Sequence, residues 1–338
     1  MTSRISLGDV AREAGVHTST ASRALNPDTR SVVSDDTVAR VLAAAERLGY
    51  RPNHLARGLR TDRTFTVGIV VPDLENPLFP PLVRGAEGAL GAVGYSVLVG
   101  NTDNDLEHTE AVIAALTDRR VDGLILATAE LNGAMEAEIR IAGTPIVLVN
   151  RESNDHSIPA IVGDDHLGIG LAVDHLVDLG HRNIGHVAGP PALSTGAGRA
   201  AAFVEHMSRH GLDSDGRIEV AEWFQIGPGE AAASTLLERR PEVTAIIAGN
   251  DLLGLGTIRA ASAFGRTVPE HLSVTGYNDM PFVDMIHPPL TTVRVPYRRM
   301  GEMAAELLLQ ILGSRDQPAA SVLLAPTLTV RASTAPPP

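Results

Sequence analysis

Residues Ser6–Leu25 read S-L-G-D-V-A-R-E-A-G-V-H-T-S-T-A-S-R-A-L, and their spacing predicts two short helices joined by a tight turn. Ser6 caps the first helix, and Asp9, three residues on, completes a capping-box-like pair with its charge at the positive helix pole. Val10, Ala11 and Ala14 form an apolar stripe at helical spacing. Gly15 supplies the turn, because glycine takes positive φ at no steric cost. Val16, Ala21 and Leu25 then face back toward the first helix, which leaves Thr18, Ser19, Ser22 and Arg23 pointing outward. Short hydroxyls and a guanidinium suit base edges and phosphates. An ordinary amphipathic hairpin buried in a core has the same apolar pattern, so this stretch alone leaves both readings open.

The following residues favour nucleic acid. Ser34 opens a third helix, S-D-D-T-V-A-R-V-L-A-A-A-E-R-L-G-Y, acidic in its first turn and ended by Gly49. Val38, Val41, Leu42, Ala45 and Leu48 recur at helical spacing and are expected to close a three-helix core. Arg51-Pro52-Asn53 breaks that helix. The segment His54–Arg60 has room for one or two turns, but Gly58 costs about 1 kcal/mol relative to Ala in a helix, so it is expected to be disordered unless held. A domain boundary is placed at Thr61–Thr64. Residues 1–63 carry ten Arg against seven Asp and Glu, whereas residues 64–338 carry 18 against 33, within a net charge of −12. A small basic module on a large acidic body is the asymmetry of a head that touches phosphate. All 28 basic residues are Arg, a bias read as genomic base composition.

From Phe65 the pattern changes to short apolar runs separated by helical stretches. The runs are Val67–Val71, Tyr95–Val99, Gly123–Ala127, Pro145–Val149 and Ile161–Val162. A second series comprises Ile184–Ala188, Arg217–Val220, Ala245–Ala248 and Ser273–Gly276. Alternation of this kind calls for parallel sheets with right-handed crossovers, and two series call for two doubly wound lobes. A last helix, Tyr297–Leu312, and strands near Val322–Leu324 and Leu328–Val330 are expected to pack back onto the lobes. The Pro-rich tail Ala335–Pro338 is expected to be disordered.

The 338 residues contain no Cys, which excludes disulfides and thiolate metal sites. With no signal peptide and no apolar run of membrane-spanning length, the chain is read as soluble and cytoplasmic. No catalytic motif and no phosphate loop appear, so no enzyme activity, cofactor or metal is expected. His206 and His210 lie four apart on a helix but lack a third ligand, and are read as surface histidines. Gly254-Leu255-Gly256 reads as close helix–sheet packing, not as a dinucleotide loop.

Assembled, head, linker and two-lobed body resemble the lactose-repressor (LacI/GalR) family of bacterial transcriptional regulators, from about Ile5 to Arg331. The carrying motifs include L-G-D-V-A-R-E-A-G-V, S-T-A-S-R-A-L-N, G-Y-R-P-N-H-L-A-R-G-L, V-G-I-V-V-P-D-L-E-N-P-L-F, R-R-V-D-G-L-I, D-H-L-V-D-L-G-H-R-N-I, G-N-D-L-L-G-L-G and P-P-L-T-T-V. The fold implied is α/β: an all-α helix-turn-helix head and two doubly wound parallel-sheet lobes, like a periplasmic binding protein. Residues 1–50 would be the head, 51–63 the hinge, 64–163 with 292–322 the N-lobe, 164–291 with 323–332 the C-lobe and 333–338 a disordered tail.

The resemblance also assigns roles. Thr18, Ser19 and Arg23 match base-reading positions, and Thr20 and Ser22 would contact phosphates. Asn53 to Arg60 match a hinge helix that folds on DNA, with Leu59 wedged into the minor groove and Arg57 lying along it. A small effector would sit between the lobes. Phe79 would pack on it, Leu78 stands where a second aromatic is common, Arg199 would fork onto paired oxygens, and Phe224 would form an aromatic wall. Asp251 would accept a ligand hydroxyl. Asn150 and Asn278 stand where some relatives carry aspartates; two fewer charges leave Arg199 less neutralised, which suggests tolerance of a carbonyl- or carboxylate-bearing ligand beside the default neutral sugar. The function implied is a homodimeric repressor of carbohydrate uptake or catabolism genes, binding a pseudo-palindromic operator in double-stranded DNA under control of a sugar-like effector, with no membrane partner. A sugar-binding transport protein and a sugar or nucleotide-sugar enzyme of the doubly wound class are the alternatives.

Overall fold

The computed structural model describes residues 5–26, 29–50, 63–141, 143–154, 158–313 and 320–338, and the chain divides into two units, Met1–Thr64 and Phe65–Pro338. The first unit holds α1 (Leu7–Ala14), α2 (Thr18–Leu25), a single 3-10 turn (Arg30–Val32) and α3 (Asp35–Leu48). The capping box forms: Asp9 N–H donates to Ser6 Oγ, and Asp9 Oδ2 accepts from Ser6 N–H at 2.9 Å. Gly15 and Gly49 both take φ +64 at helix C-caps, the left-handed conformation that glycine enters without Cβ strain. Ser34 sits at the start of α3 but makes no side-chain cap; its hydroxyl donates to Thr37 Oγ1 at 2.9 Å. The core is built from Val and Ala side chains, Val10, Ala11, Ala21, Ala24, Val41 and Ala44 among them. Leu42, expected inside, is 39% exposed, and Ala44 takes its place, because the three small helices approach closely enough for Ala to fill the gap.

In the second unit the chain runs β1 (Thr66–Val71), α4 (Phe79–Ala92), β2 (Ser96–Asn101), α5 (Leu106–Asp118), β3 (Gly123–Leu126), α6 (Ala134–Ile141), β4 (Ile146–Val149) and β5 (Ala160–Gly163). It continues with α7 (Asp165–Asp178), β6 (Ile184–Ala188), α8 (Ser194–Arg209), β7 (Ile218–Val220), α9 (Ile226–Arg239), β8 (Ala245–Ala248), α10 (Asp251–Ala263), β9 (Ser273–Asn278) and β10 (Thr291–Arg294). Last come α11 (Tyr297–Gly313), β11 (Val322–Leu324) and β12 (Thr327–Thr329). One sheet has the order β11-β5-β4-β3-β1-β2 and the other β12-β10-β9-β8-β6-β7. Every pairing is parallel except β10 with β12. Strands β3, β4 and β8 are buried along their whole length, as expected of strands covered by helices on both faces.

The lobes exchange chain three times, after β5, after β10 and between β11 and β12. Two exchanges differ from the sequence-based boundaries. Residues 292–294 belong to β10, which pairs with β9 in the C-lobe sheet, and β11 keeps residues through Leu324 in the N-lobe sheet. Strand β10 was missing from the apolar runs because its Thr-Thr-Val-Arg sequence is β-branched but half polar.

The tail expected to be disordered is held in place. Ser333 is fully buried; its Oγ donates to Val274 O at 2.6 Å, and Val274 N–H donates to Ser333 O at 2.8 Å. Ala335 N–H donates to Ser273 Oγ at 3.0 Å, and the Ala335 carbonyl lies 2.8 Å from His181 Nε2. Proline carries no donor, but the residues before the prolines supply the N–H and C=O groups that a sheet edge needs.

His206 is also not a surface residue. It is 9% exposed, its ring centroid lies 4.7 Å from that of His166, and a Cβ on Gly170 would overlap it. Gly254 faces Leu290, Ala248 and the Gly276 backbone, the expected helix–sheet contact; Gly256 instead meets the backbone of α9 at Ile226 and Glu230.

Candidate functional site

In the head, α2 buries Ala21 and Ala24 and turns Thr18, Ser19 and Arg23 to solvent, with Thr20 and Ser22 half-buried. The entry to α2 is fixed by His17, whose Nδ1 accepts from Ser19 N–H at 3.3 Å and lies 2.8 Å from Ser19 Oγ. Its exit is fixed by Arg30, whose Nε donates to Ala24 O at 3.0 Å, and by Thr29, whose hydroxyl donates to Arg23 O at 3.3 Å. The helix therefore presents two hydroxyls and one guanidinium from a clamped backbone, the arrangement that suits reading of base edges from a groove. His17 was not singled out from the sequence, although it occupies the cap position that its own spacing from Ser19 required. Asn53, Arg57 and Leu59 lie outside the described residues.

In the body, the carboxyl ends of both sheets meet at a cleft lined by Asp73, Asn76, Phe79, Asn150, Arg151 and Thr195, with Arg199, Trp223, Phe224, Gln225, Asn250 and Asn278. Crevices beyond strand C-termini are where open α/β sheets bind ligands, because loops diverge there and helix N-termini point inward. Arg199 on α8 lies at its base with a side chain 5% exposed. Its Nε donates to Asp165 Oδ1 at 2.9 Å, its Nη1 donates to Gly249 O at 2.6 Å, and its guanidinium stacks 3.8 Å from the Tyr277 ring centroid. Burial works against the charge, but the Asp165 carboxylate and its hydrogen bond outweigh it and keep Arg199 protonated.

Phe224 packs its ring against Gly189, where a Cβ would overlap it. Asn150 and Asn278 close β4 and β9 with φ of +66 and +114; asparagine enters this region more readily than most side chains. Tyr297 Oη donates to Asn278 Oδ1 at 2.6 Å.

The amino-terminal segment, residues 6–53, matches the family model described as bacterial regulatory proteins, lacI family, and residues 173–334 match a periplasmic binding protein-like domain. The transcriptional regulator MalR of Streptomyces coelicolor is 36% identical over 345 residues, covering 99% of this chain and 97% of that one. The chain belongs to the lacI family of bacterial regulatory proteins. Among solved structures, a Lac repressor dimer bound to operator and the anti-inducer ONPF superimposes with a TM-score of 0.85 at 27% identity, covering 98% of this chain and 100% of that one. A complex of the transcriptional regulator CelR with cellobiose gives a TM-score of 0.75 at 30% identity, again over 98% and 100%.

Against this lacI-family frame, Phe79, Asn150, Arg199, Phe224 and Asn278 come together in one cleft with Leu78, while Asp251 does not join them. Asp251 is fully buried and does not line the cleft. Its Oδ1 accepts from Thr292 Oγ1 at 2.5 Å and its Oδ2 from Met280 N–H at 2.8 Å, so the two oxygens tie the start of α10 to β10 and to the loop after β9. Burial pushes this carboxyl up to about 7, despite those two bonds. Its neighbour Asn250 reaches the cleft instead. The idea that Arg199 is poorly neutralised is also corrected: Asp165, not foreseen from the sequence, supplies the negative charge. Arg151 was missed as well. It is 7% exposed, its Nε has no hydrogen-bond partner among the described residues, and burial lowers its guanidinium to about 10 against the pull of Glu130. The signal was available, since Arg151 follows Asn150 at the carboxyl end of a buried strand.

Among the described residues, no helix is long and apolar enough to cross a membrane, and no group of three or more His, Asp or Glu is placed to hold a metal ion.

Proposed function

We propose that this protein is a sequence-specific DNA-binding transcriptional regulator, a repressor of carbohydrate uptake or catabolism genes that acts in the cytoplasm as a homodimer. Its effector is a small sugar or sugar derivative bound between the lobes, and it carries out no reaction of its own. The observation that carries this reading is α2, with its apolar face buried and Thr18, Ser19 and Arg23 turned outward from a helix clamped at both ends. Two heads related by two-fold symmetry would engage a pseudo-palindromic operator. Thr20 and Ser22 would hold phosphates, and Asn53, Arg57 and Leu59 would act in the hinge.

The cleft chemistry fits a polyhydroxylated ligand. Asn150, Asn278, Asn250 and Gln225 offer both donors and acceptors, Arg199 donates from a fixed plane, and Phe79, Trp223 and Phe224 supply faces for C–H groups. The effector needs only to bind one arrangement of the lobes better than another to alter operator affinity.

Selection of duplexes from a randomised pool by the full chain tests the reading. A palindromic consensus is expected, and Arg23→Ala should relax at least one position in each half-site, with about 1–3 kcal/mol of discrimination at stake. Retention of duplexes without any sequence preference would overturn the assignment.

A further inference from the structure

A serine hydroxyl has one hydrogen to donate and two lone pairs with which to accept. Which of these Ser19 turns toward a base edge depends on what its own neighbours have taken. Among the described residues its hydroxyl meets His17, whose Nδ1 lies 2.8 Å from Ser19 Oγ. The same Nδ1 accepts from the Ser19 backbone N–H at 3.3 Å, the bond that caps α2.

The two bonds together fix the direction of the shorter one. A ring nitrogen that accepts from a backbone N–H carries a lone pair and no hydrogen, so the imidazole is neutral with its proton on Nε2. Nδ1 then has nothing to donate, and the hydroxyl hydrogen of Ser19 must point at it. The reverse arrangement would set a hydrogen on Nδ1 against the backbone N–H and a positive ring at the positive end of the helix. Ser19 is exposed, and what it offers outward is lone pairs. Capping alone needs only the backbone N–H, and asparagine or glycine suits a helix start as well. The second bond is the one that bears on recognition.

In the major groove the donors on base edges are the N6 amino group of adenine and the N4 amino group of cytosine, whereas purine N7, guanine O6 and thymine O4 accept. An unconstrained serine suits either kind. Resting on the reading of α2 as the base-reading helix, we propose that His17 is a positioning residue that makes Ser19 an acceptor only, so that Ser19 selects a base pair whose amino group faces it.

Anisotropy titration of the full chain on its selected duplex tests this, with each half-site position exchanged for the other three base pairs. The position read by Ser19 is the one at which Ser19→Ala loses discrimination. There, wild type is expected to bind about fivefold more weakly once the amino group of the selected pair is deleted, as one lost hydrogen bond predicts. Purine in place of adenine, or 2-pyrimidinone in place of cytosine, makes that deletion, and Ser19→Ala should not respond to it. His17→Gly keeps a residue accepted at a helix N-cap but removes the acceptor, which frees the Ser19 hydroxyl to turn; at least one other pair should then come within about twofold of the selected one. His17→Asn, whose Oδ1 can take both bonds, should restore the wild-type ranking. The position read by Arg23 is the internal control and should keep its ranking in both His17 variants. No effect of amine deletion in wild type, or an unchanged ranking in His17→Gly, would overturn this inference alone. Equal loss at the Ser19 and Arg23 positions in His17→Gly would make His17 a helix cap only, which also overturns it. A Ser19→Ala variant with the wild-type ranking at every position would overturn the base-reading role of Ser19 itself, and the inference with it.

Discussion

Arg199 and Asp165 form an ion pair at the base of the inter-lobe cleft, Nε to Oδ1 at 2.9 Å, with side chains 5% and 18% exposed. The pair joins α8 to the start of α7, and Tyr277 of β9 lies under the guanidinium. In the proposed reading it serves stability and ligand recognition at once, so a single substitution at Arg199 confounds the two. Removing one partner of a buried pair strands the other charge and costs about 3–5 kcal/mol. Asp165→Leu and Arg199→Met are therefore each expected to destabilise the body by about that amount in urea unfolding. The double variant Arg199→Met with Asp165→Leu, which leaves no charge behind, should recover much of the loss while abolishing the effector response. Additive losses in the double-mutant cycle would show that the two residues do not depend on each other.

The helices α4 and α11 approach through two glycines. A Cβ on Gly85 would overlap the Arg298 carbonyl of α11, and one on Gly301 would overlap the Leu82 carbonyl of α4. Backbone lies on the receiving side in both cases, so no flexible side chain is available to move aside. Gly301→Ala and Gly85→Ala are each expected to lose about 1–3 kcal/mol or more by overpacking. Gly88→Ala, on the same α4 but with open space around its Cβ position, should instead be neutral or stabilising, as glycine in a helix interior costs about 1 kcal/mol relative to alanine. Equal effects at Gly85 and Gly88 in thermal unfolding would remove the close-approach explanation.

Asp251 gives the body a pH dependence whose sign is fixed by its burial. An unfolded aspartate titrates near ~4, whereas the folded carboxyl is pushed up to about 7. The native state holds more protons than the unfolded state between these values, so this residue's contribution falls as pH rises through that window, by about 1.4 kcal/mol per pH unit at most. His186 acts oppositely at lower pH: burial pushes it down to about 4, so its contribution is present above about 6.5 and lost as pH falls. Asp251→Asn isolates the first effect. Its amide can still accept from Met280 N–H and donate to Thr292 Oγ1, and the variant should gain on wild type as pH rises from 5 to 8. Parallel stability curves for the two proteins would mean that Asp251 is not protonated in the native state near neutral pH.

The sequence was most legible where local chemistry decides conformation. Ser6, Asp9 and Gly15 specify the ends of α1 within a few residues of themselves, and the strands β1, β3, β4 and β8 declare themselves as unbroken apolar runs. The cleft residues Phe79, Asn150, Arg199, Phe224 and Asn278 were named only through the family resemblance; their own local sequence does not mark them. What escaped depends on partners distant in sequence. Asp165 meets Arg199 across 34 residues and Asp251 meets Thr292 across 41, and no periodicity encodes either. Ser333 is buried against β9 because of a register that neither segment contains alone. Leu42 and Ala44 exchanged roles because the head is too small to bury a leucine at every helical apolar position.

Asn150 and Asn278 pose a choice between backbone and ligand that substitution resolves. Both occupy positive φ at the end of a buried strand, and both line the cleft. If asparagine serves only the backbone, glycine is an adequate replacement, and alanine costs about 1–2 kcal/mol for entering the left-handed region. If the amide also meets the effector, glycine preserves folding and loses affinity. Asn150→Gly is therefore expected to keep the wild-type unfolding midpoint within about 0.5 kcal/mol, while Asn150→Ala lowers it. Effector binding should weaken in both, by about tenfold for one lost hydrogen bond to a neutral hydroxyl. Asn278→Gly should cost more in stability than Asn150→Gly, because its Oδ1 accepts from Tyr297 Oη within the protein. Unchanged effector affinity in Asn150→Gly would assign that residue to the backbone alone and move the polar recognition to other cleft residues such as Arg151 and Asn250.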